Sequence, residues 1–283
     1  MTAQEFSDQF DVLLNSSFIS NEFGEQANKI DIQLDEYEKS VFLTQAQEQL
    51  VINLYNGRNI EGLSFESAEE SRRYLKELTV NVNPNVTPVE PEIPIYPNTY
   101  HVDSSAISNM LFITREVAKF DETLIRNPKP WQTGNNLIVE VIPITQDEYN
   151  RTKRNPYKKF NEERALRIEY GGEWYLHSKY SIVKYGVDYI RKPKPIIISS
   201  LGDDLKIDGY SFSNTVTPLQ PNPNTIYKDK PCELNPILHR TILLEAVKLA
   251  KIVKQNQIRN EMLGNMPGQL VHPPMQQVNQ RPN

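Results

Sequence analysis

Cysteine is all but missing: Cys232 is the only one in 283 residues. That excludes an intramolecular disulfide and suits folding in a reducing cytoplasm. No apolar run approaches the ~20 residues of a membrane span, so no membrane partner is expected. Met1-Thr2-Ala3-Gln4-Glu5 has neither a basic region nor an apolar core, so no signal peptide is expected. Positive charge is not in excess. The net charge of −5 argues against coating nucleic acid by charge alone, and fits a surface that DNA passes without sticking. Neither G-x-x-x-x-G-K-[ST] nor G-x-G-x-x-G occurs, so a nucleotide site of a known kind is unsupported. His101, His177, His239 and His272 fall in no H-x-x-x-H or H-E-x-x-H frame, and thiols for a zinc site are lacking. The acidic pairs Glu69-Glu70, Glu162-Glu163 and Asp203-Asp204 lie in charge-rich helix, loop or turn contexts without a positioned partner. Cys232 has no nucleophile signature. The expectation is no catalytic residue, no metal, no cofactor and no enzyme. The enzyme alternative is a hydrolase whose site is dispersed along the chain.

What is present is a chain long enough for two domains. It is 38% hydrophobic and 24% charged, somewhat polar but not wholly disordered. Its organising stretch is 232–262. Asn235 can cap and Pro236 suits a first helical position. Leu238, Ile242, Ala246, Leu249 and Val253 then recur at helical spacing, and Ile237, Leu243, Leu244, Val247, Ala250 and Ile252 widen the stripe. A helix apolar that far round needs partners on two sides, some in the chain and some in another subunit.

Thr2-x-x-Glu5, Asp35-x-x-Glu38 and Ser67-x-x-Glu70 are capping boxes. Each precedes an amphipathic pattern: Phe6, Phe10 and Leu13; Leu43, Ala46, Leu50 and Leu54; Tyr74, Leu75 and Leu78. Asn56-Gly57 ends the second helix. Residues 1–80 are therefore a helical part. Residues 81–99, with Pro84, Pro88, Pro91, Pro94 and Pro97, are an extended connection.

Residues 100–225 read as a β-rich insert. Leu111, Ile113 and Val117 fall in one run, and 137–144 is apolar on both faces, as a central strand is. A short helix starts at Thr145-x-x-Glu148 and ends near Asn155-Pro156. Leu166, Ile168 and Tyr170 alternate with Arg167 and Glu169 on a half-buried strand. Gly171-Gly172 turns the chain back through Trp174 and Leu176. Residues 182–191 place Val183, Tyr185, Val187 and Tyr189 on one face, and Pro193 and Pro195 end that strand or confine it to an edge. Ile196-Ile197-Ile198 and 205–212 are expected to pair. Residues 226–262 return to the helical part, and 263–283 are a polar, proline-containing tail expected to order only on a partner. The fold class expected is α+β: a helical bundle of N-terminal helices and a long C-terminal helix, with an inserted sandwich-like or barrel-like β domain.

One basic cluster stands out. Arg151, Lys153, Arg154, Lys158 and Lys159 lie among Tyr149, Tyr157 and Phe160. Cations with aromatics can track a phosphate backbone, so nucleic-acid binding through 151–167 is the alternative function. A solvated loop, or a face meeting an acidic neighbouring subunit, is the plainer reading. Tyr185, Tyr189 and Arg191 suit a subunit interface and suit a sheet face equally.

Three stretches carry a family resemblance: DEYEKSVFLTQAQEQL at 35–50, YGVDYIRKPKPII at 185–197 and CELNPILHRTILLEAV at 232–247. Together they resemble structural proteins of tailed phages of Bacteroidetes, especially the neck and tail ring proteins of crAss-like phages. The helix–insert–helix plan is similar to head-to-tail connector, or adaptor, proteins that dock under a portal. The resemblance implies a homo-oligomeric ring of about twelve copies, stacked on the portal protein and adjacent tail or ring proteins. Double-stranded DNA would pass through it without sequence-specific binding. It also implies synthesis in the host cytoplasm, residence in the neck or tail of the virion, and a mechanical role in genome retention and ejection. Contacts with neighbours or portal are then expected at Tyr185, Tyr189, Arg191, Leu238, Ile242, Leu249, Val253, Leu270 and Val271. The basic cluster would face DNA or a neighbour.

Overall fold

The computed structural model describes residues 1–16, 34–58, 64–89, 98–121, 137–199, 206–214 and 222–264, with side chains of the last helix described to Lys254. The architecture is α+β. Five α-helices and ten strands occur among the described residues. The chain divides into two compact units: Met1–Leu50, Pro195–Cys232 and Ile237–Asn283 in the first, Val51–Lys194 and Glu233–Pro236 in the second.

The second unit is built on one eight-stranded sheet. Its strands are β1 (Thr79–Val82), β2 (Val86–Val89), β3 (Thr99–Val102), β4 (Met110–Phe120), β5 (Ile138–Ile144), β6 (Arg164–Tyr170), β7 (Glu173–His177) and β8 (Ile182–Arg191). Their order is β1-β8-β4-β5-β6-β7-β3-β2. The sheet curls into a half-barrel. Its two edge strands, β1 and β2, are consecutive in the chain and joined by Asn83-Pro84-Asn85 alone. Curling is what lets so short a link connect opposite edges. The link packs closely on the sheet, since a Cβ added to Gly186 of β8 would lie 3.1 Å from Asn83 Oδ1. The expected β-rich region is thus one curled sheet and not two stacked ones. The proline-rich stretch 81–99 contributes one edge strand, β2, and the end of the other, β1.

The concave side holds the core of this unit. Val102, Phe120, Val139, Val141, Trp174, Leu176, Tyr185, Val187 and Tyr189 are all buried there. β5 lies between β4 and β6, as a central strand does, but only one of its faces is buried: Val139 and Val141 are covered while Ile138 and Glu140 are exposed. It pairs parallel with β6, through a crossover carrying α4 (Gln146–Arg154). β6 and β7 form a two-residue hairpin in which Gly171 and Gly172 have φ of +60° and +88°. That left-handed pair is what a type I′ turn demands and what glycine supplies without strain. Two strand readings are corrected. Val183 is 53% exposed and Ile182 takes the core position. The register of β8 on β4 slips between Lys119 and Phe120, and a one-residue slip exchanges faces. β6 is buried on both faces from Ala165 to Ile168, Arg167 included.

The first unit is helical. α1 (Ala3–Ser16) opens with a made capping box: Glu5 N–H donates to Thr2 Oγ1 and Thr2 N–H to Glu5 Oε2. α2 (Glu36–Asn56) opens the same way at Asp35 and Glu38 and stops at Gly57, φ +72°; the boundary between the units falls within it. The third expected box is not made. α3 (Glu69–Tyr74), in the second unit, starts from Ala68 without a side-chain cap, and Ser67 bonds to Ser64 instead.

A short 3-10 turn at Pro236–Leu238 precedes α5 (His239–Gly264). α1 and α5 run parallel: the Met1 amino group meets His239 Nδ1 at 3.0 Å, and Lys251 Nζ donates to the Leu13 carbonyl at 3.1 Å. Phe6, Phe10 and Leu14 are buried on α1, Leu238 in the turn before α5, and Ile242, Leu243, Ala246, Val247 and Ala250 on α5. Lys254 of α5 reaches Glu38 of α2.

Among the described residues α5 is covered on one side only. Leu244, Ile252 and Val253 of α5 and Ile237 of the turn before it are exposed. Val253 has the phase of the buried stripe and lies level with the last residues of α1.

The helix buried on two sides is α2. Leu43 and Ala46 form its apolar side, while Ser40, Thr44 and Gln47 are buried as well. Ser40 and Thr44 hold 196–198, which is not a strand. Ile196 N–H donates to Thr44 Oγ1 at 3.1 Å and Ile198 N–H to Ser40 Oγ at 3.3 Å. Beyond it, β9 (Ser211–Ser213) pairs in parallel with β10 (Thr225–Tyr227), replacing the expected pairing of 196–198 with 205–212. Ile197, Ile207 and Ile226 close a small core with Tyr37 and Val41 of α2.

Candidate interaction surfaces

The polar groups that sequence reading singled out are mostly engaged within their own unit. Tyr185 and Tyr189 are 1% and 2% exposed, and Leu238 and Ile242 are buried too. Side chains packed inside their own unit cannot also cover a neighbour, so these four are core. Arg191 forms a two-pronged pair with Glu233, 2.8 Å on each prong, and donates to the Glu77 carbonyl. Glu233 also accepts from Lys194 N–H at 2.7 Å. Leu249 is half-buried and Val253 exposed. Leu270 and Val271 lie outside the described residues, as do Asp203, Asp204 and His272.

Inside the half-barrel lies a network that the sequence did not announce. Arg167 Nε donates to Glu116 Oε2 at 2.8 Å, and Tyr185 Oη donates to the same oxygen at 2.7 Å. The Arg167 guanidinium sits 4.2 Å over the Trp174 ring. Burial and the Glu116 carboxylate push the Tyr185 hydroxyl well above its ordinary pKa, so it stays protonated and donating. A buried carboxylate is tolerable only with its lone pairs used, and two donors here use one oxygen. The only sequence signal was indirect. Glu116, Ala118 and Phe120 share a face of β4, so a charge stands in line with core residues.

The remaining titratable groups are dispersed. His177 is buried, shares a hydrogen bond with Thr99 Oγ1 at 3.2 Å and packs against Tyr149 of α4. Burial, reinforced by Lys153, lowers its pKa to about 4. His101 lies 3.7 Å from Glu173, and His239 against Phe6. Cys232 is buried with its thiol toward Gln47 Oε1. Lys39 is buried between α1 and α2. Burial alone would lower its pKa, but hydrogen bonds to Asp11 and Glu36 outweigh that and raise it. Among the described residues, no group of three or more His, Cys, Asp or Glu side chains could hold a metal ion, and no helix is long and apolar enough to cross a membrane.

The exposed surface is where contacts remain possible. α4 plants Tyr149 and Thr152 on the sheet and turns its cations outward. Arg151, Arg154, Lys158 and Lys159 are exposed, Lys153 is half-buried, and Tyr157 is 86% exposed. Arg151, Lys153 and Arg154 occupy the last helical turn, where cations complement the carbonyl end of the helix. That alone accounts for part of the cluster. The second exposed surface is the uncovered side of α5.

The chain belongs to the phage tail ring protein 3/4 family of crAss-like phages, whose family model matches residues 1–262. It is 38% identical over 263 residues to Ring protein 3 of Bacteroides phage crAss001, covering 92% of this chain and 100% of that protein. Ring protein 4/5 of the same phage is 29% identical over 269 residues, covering 92% of this chain and 96% of its own. A phage tail ring protein is a structural component, which places this chain's family in the virion.

Proposed function

We propose that this chain is a non-enzymatic ring component of the neck or tail, joining portal to tail and enclosing part of the DNA conduit. The observation that carries the reading is similarity over 92% of this chain to ring proteins of one phage. The uncovered side of α5 supports it. Ile237, Leu244 and Ile252, among exposed Arg240, Thr241 and Lys248, give each copy a mixed apolar and polar surface that a neighbouring copy can cover, with half-buried Leu249 at its margin. A contact of this head-to-tail kind, repeated about twelve times, closes a ring. The helical part, 1–80 with 226–262, would then be the bundle at which copies meet, and the β-rich insert would face outward or the next ring. The tail, 263–283, would order on the portal or another ring. A net charge of −5 suits a conduit that releases DNA.

The exposed cluster of Arg151, Arg154, Lys158, Lys159 and Tyr157 supports a second reading, in which DNA phosphates or an acidic neighbouring ring meet α4. A DNA mobility shift that weakens with salt, and is lost in an Arg151→Gln, Lys153→Gln, Arg154→Gln variant, assigns the patch to DNA. No shift assigns it to a protein neighbour.

The test of the main reading is gold-labelled antibody on purified virions, with copy number counted against the major capsid protein. Label at the neck or tail, at tens of copies or fewer per particle, is the expected result. Virions without the protein would refute it.

A further inference from the structure

β4 and β5 are neighbours in the sheet, yet they pair over three residues only. Val117 faces Glu140, Ala118 faces Val139 and Lys119 faces Ile138. β4 continues back to Met110 on β8, and β5 continues forward to Ile144 on β6. Beyond the paired stretch the two strands part, and among the described residues each has a partner on its other side only. The Ile113 carbonyl accepts from the Tyr55 hydroxyl at 3.3 Å, so the open edge of β4 begins at Thr114.

The gap is a cleft of about 530 Å³. It is lined by outward-facing Arg115, Ile138 and Glu140 and by inward-facing Glu116, Val141 and Arg167. Side chains of both faces line it, so it passes into the sheet and is not a hollow on one surface. Ile138 is 49% exposed beside it. Its charged floor is already neutralised, because Glu116 and Arg167 bond each other. The cleft therefore asks for backbone hydrogen bonds and apolar contact, not for a charge. Strand addition to an open sheet edge supplies both.

We propose that residues 268–272 of a second copy enter this cleft as an added strand. This chain holds a run of matching length and chemistry. Gly268-Gln269-Leu270-Val271-His272 stands between Pro267 and Pro273. Proline lacks the N–H that a ladder needs, so the prolines limit the strand to these five residues. Five residues span about 16 Å, enough for the open edges at Thr114–Glu116 and Val141–Ile144. The run carries no Lys, Arg, Asp or Glu, so burying it desolvates no fixed charge. With alternation, Leu270 points inward to Val139 and Val141, and Gln269 and Val271 point outward along Ile138. Each copy then gives a strand to one neighbour and receives one from the other. The inference rests on the ring reading for its head-to-tail repetition. It leaves 275–283 free for another partner.

The test mixes two full-length chains, one tagged and carrying Gln269→Cys, the other untagged and carrying Arg115→Cys, both on the outward face, with a short bismaleimide linker. A mixed tagged–untagged adduct is expected. Adding Val271→Pro to the tagged chain should cut its yield about tenfold, the worth of one to two backbone hydrogen bonds. Moving the acceptor cysteine to exposed position 183 should give no more than that residue. No mixed adduct, or one indifferent to Val271→Pro, overturns the proposal. So does an adduct formed within one doubly substituted chain at high dilution, which would assign the cleft to the chain's own tail. Electron micrographs of the same mixture separate the two failures. Rings without adduct sink the strand exchange and keep the ring reading; neither rings nor adduct counts against both.

Discussion

The two units are held together by different means. In the sheet unit, register does the work. Strands lie on their neighbours by ladders, one concave interior receives alternate side chains, and the buried charges Glu116 and Arg167 sit in a network with Tyr185. In the helical unit, segments far apart in sequence are fastened by side chains to backbone. Thr44 and Ser40 hold 196–198, Lys251 holds Leu13, and the Met1 amino group meets His239. The sheet unit is thus vulnerable at its polar centre, and the helical unit at many small fastenings.

The comparison breaks most sharply at Glu116. Glu116→Ala leaves Arg167 buried without its carboxylate and should cost about 3–5 kcal/mol. Hydrogen exchange should show the loss confined to the sheet unit, and Glu116→Leu with Arg167→Met should restore most of it. Next is acid. His177 is held neutral with a pKa near 4 while the unfolded chain titrates near 6.5. Between those values the unfolded state binds the extra proton, so stability is full above pH 6.5 and falls as pH drops toward 4. The loss is on the order of 3 kcal/mol. Urea titrations at stepped pH should show it, and His177→Gln should flatten that part of the profile. On the helical side, Thr44→Val removes one fastening and should cost about 1–2 kcal/mol, with faster exchange at the Ile196 amide. Smallest is Gly172→Ala, which strains a left-handed turn residue by about 1 kcal/mol without touching the core. If Thr44→Val proved costlier than Glu116→Ala, the contrast between the units would be reversed.

Sequence periodicity made the sheet unit legible where the chain is locally regular. The central place of 137–144 in the sheet, the Gly171-Gly172 hairpin and the capping boxes at Thr2 and Asp35 were all readable. It failed where tertiary partners decide. Val183 and Ile182 exchange faces at a register slip that no alternation rule contains. Ser40, Thr44 and Gln47 look like the wet side of an amphipathic helix, yet they are buried because a distant segment uses them. Ile196-Ile197-Ile198 has the composition of a strand but satisfies its backbone on hydroxyls. Tyr185 and Tyr189 have the composition of an interface and the position of a core. Of the contact surfaces, the basic cluster on α4 was legible because long charged side chains stay outside. The β4–β5 cleft was not, because a missing partner leaves no mark on the strands that lack it.

The most direct measurement is a symmetry-resolved electron cryomicroscopy reconstruction of the virion neck and tail. The account predicts a closed ring of this chain, each copy showing the curled eight-stranded sheet, with α5 covered by an adjacent copy. A neck and tail without the chain, or with it as isolated copies whose α5 faces solvent, would contradict it.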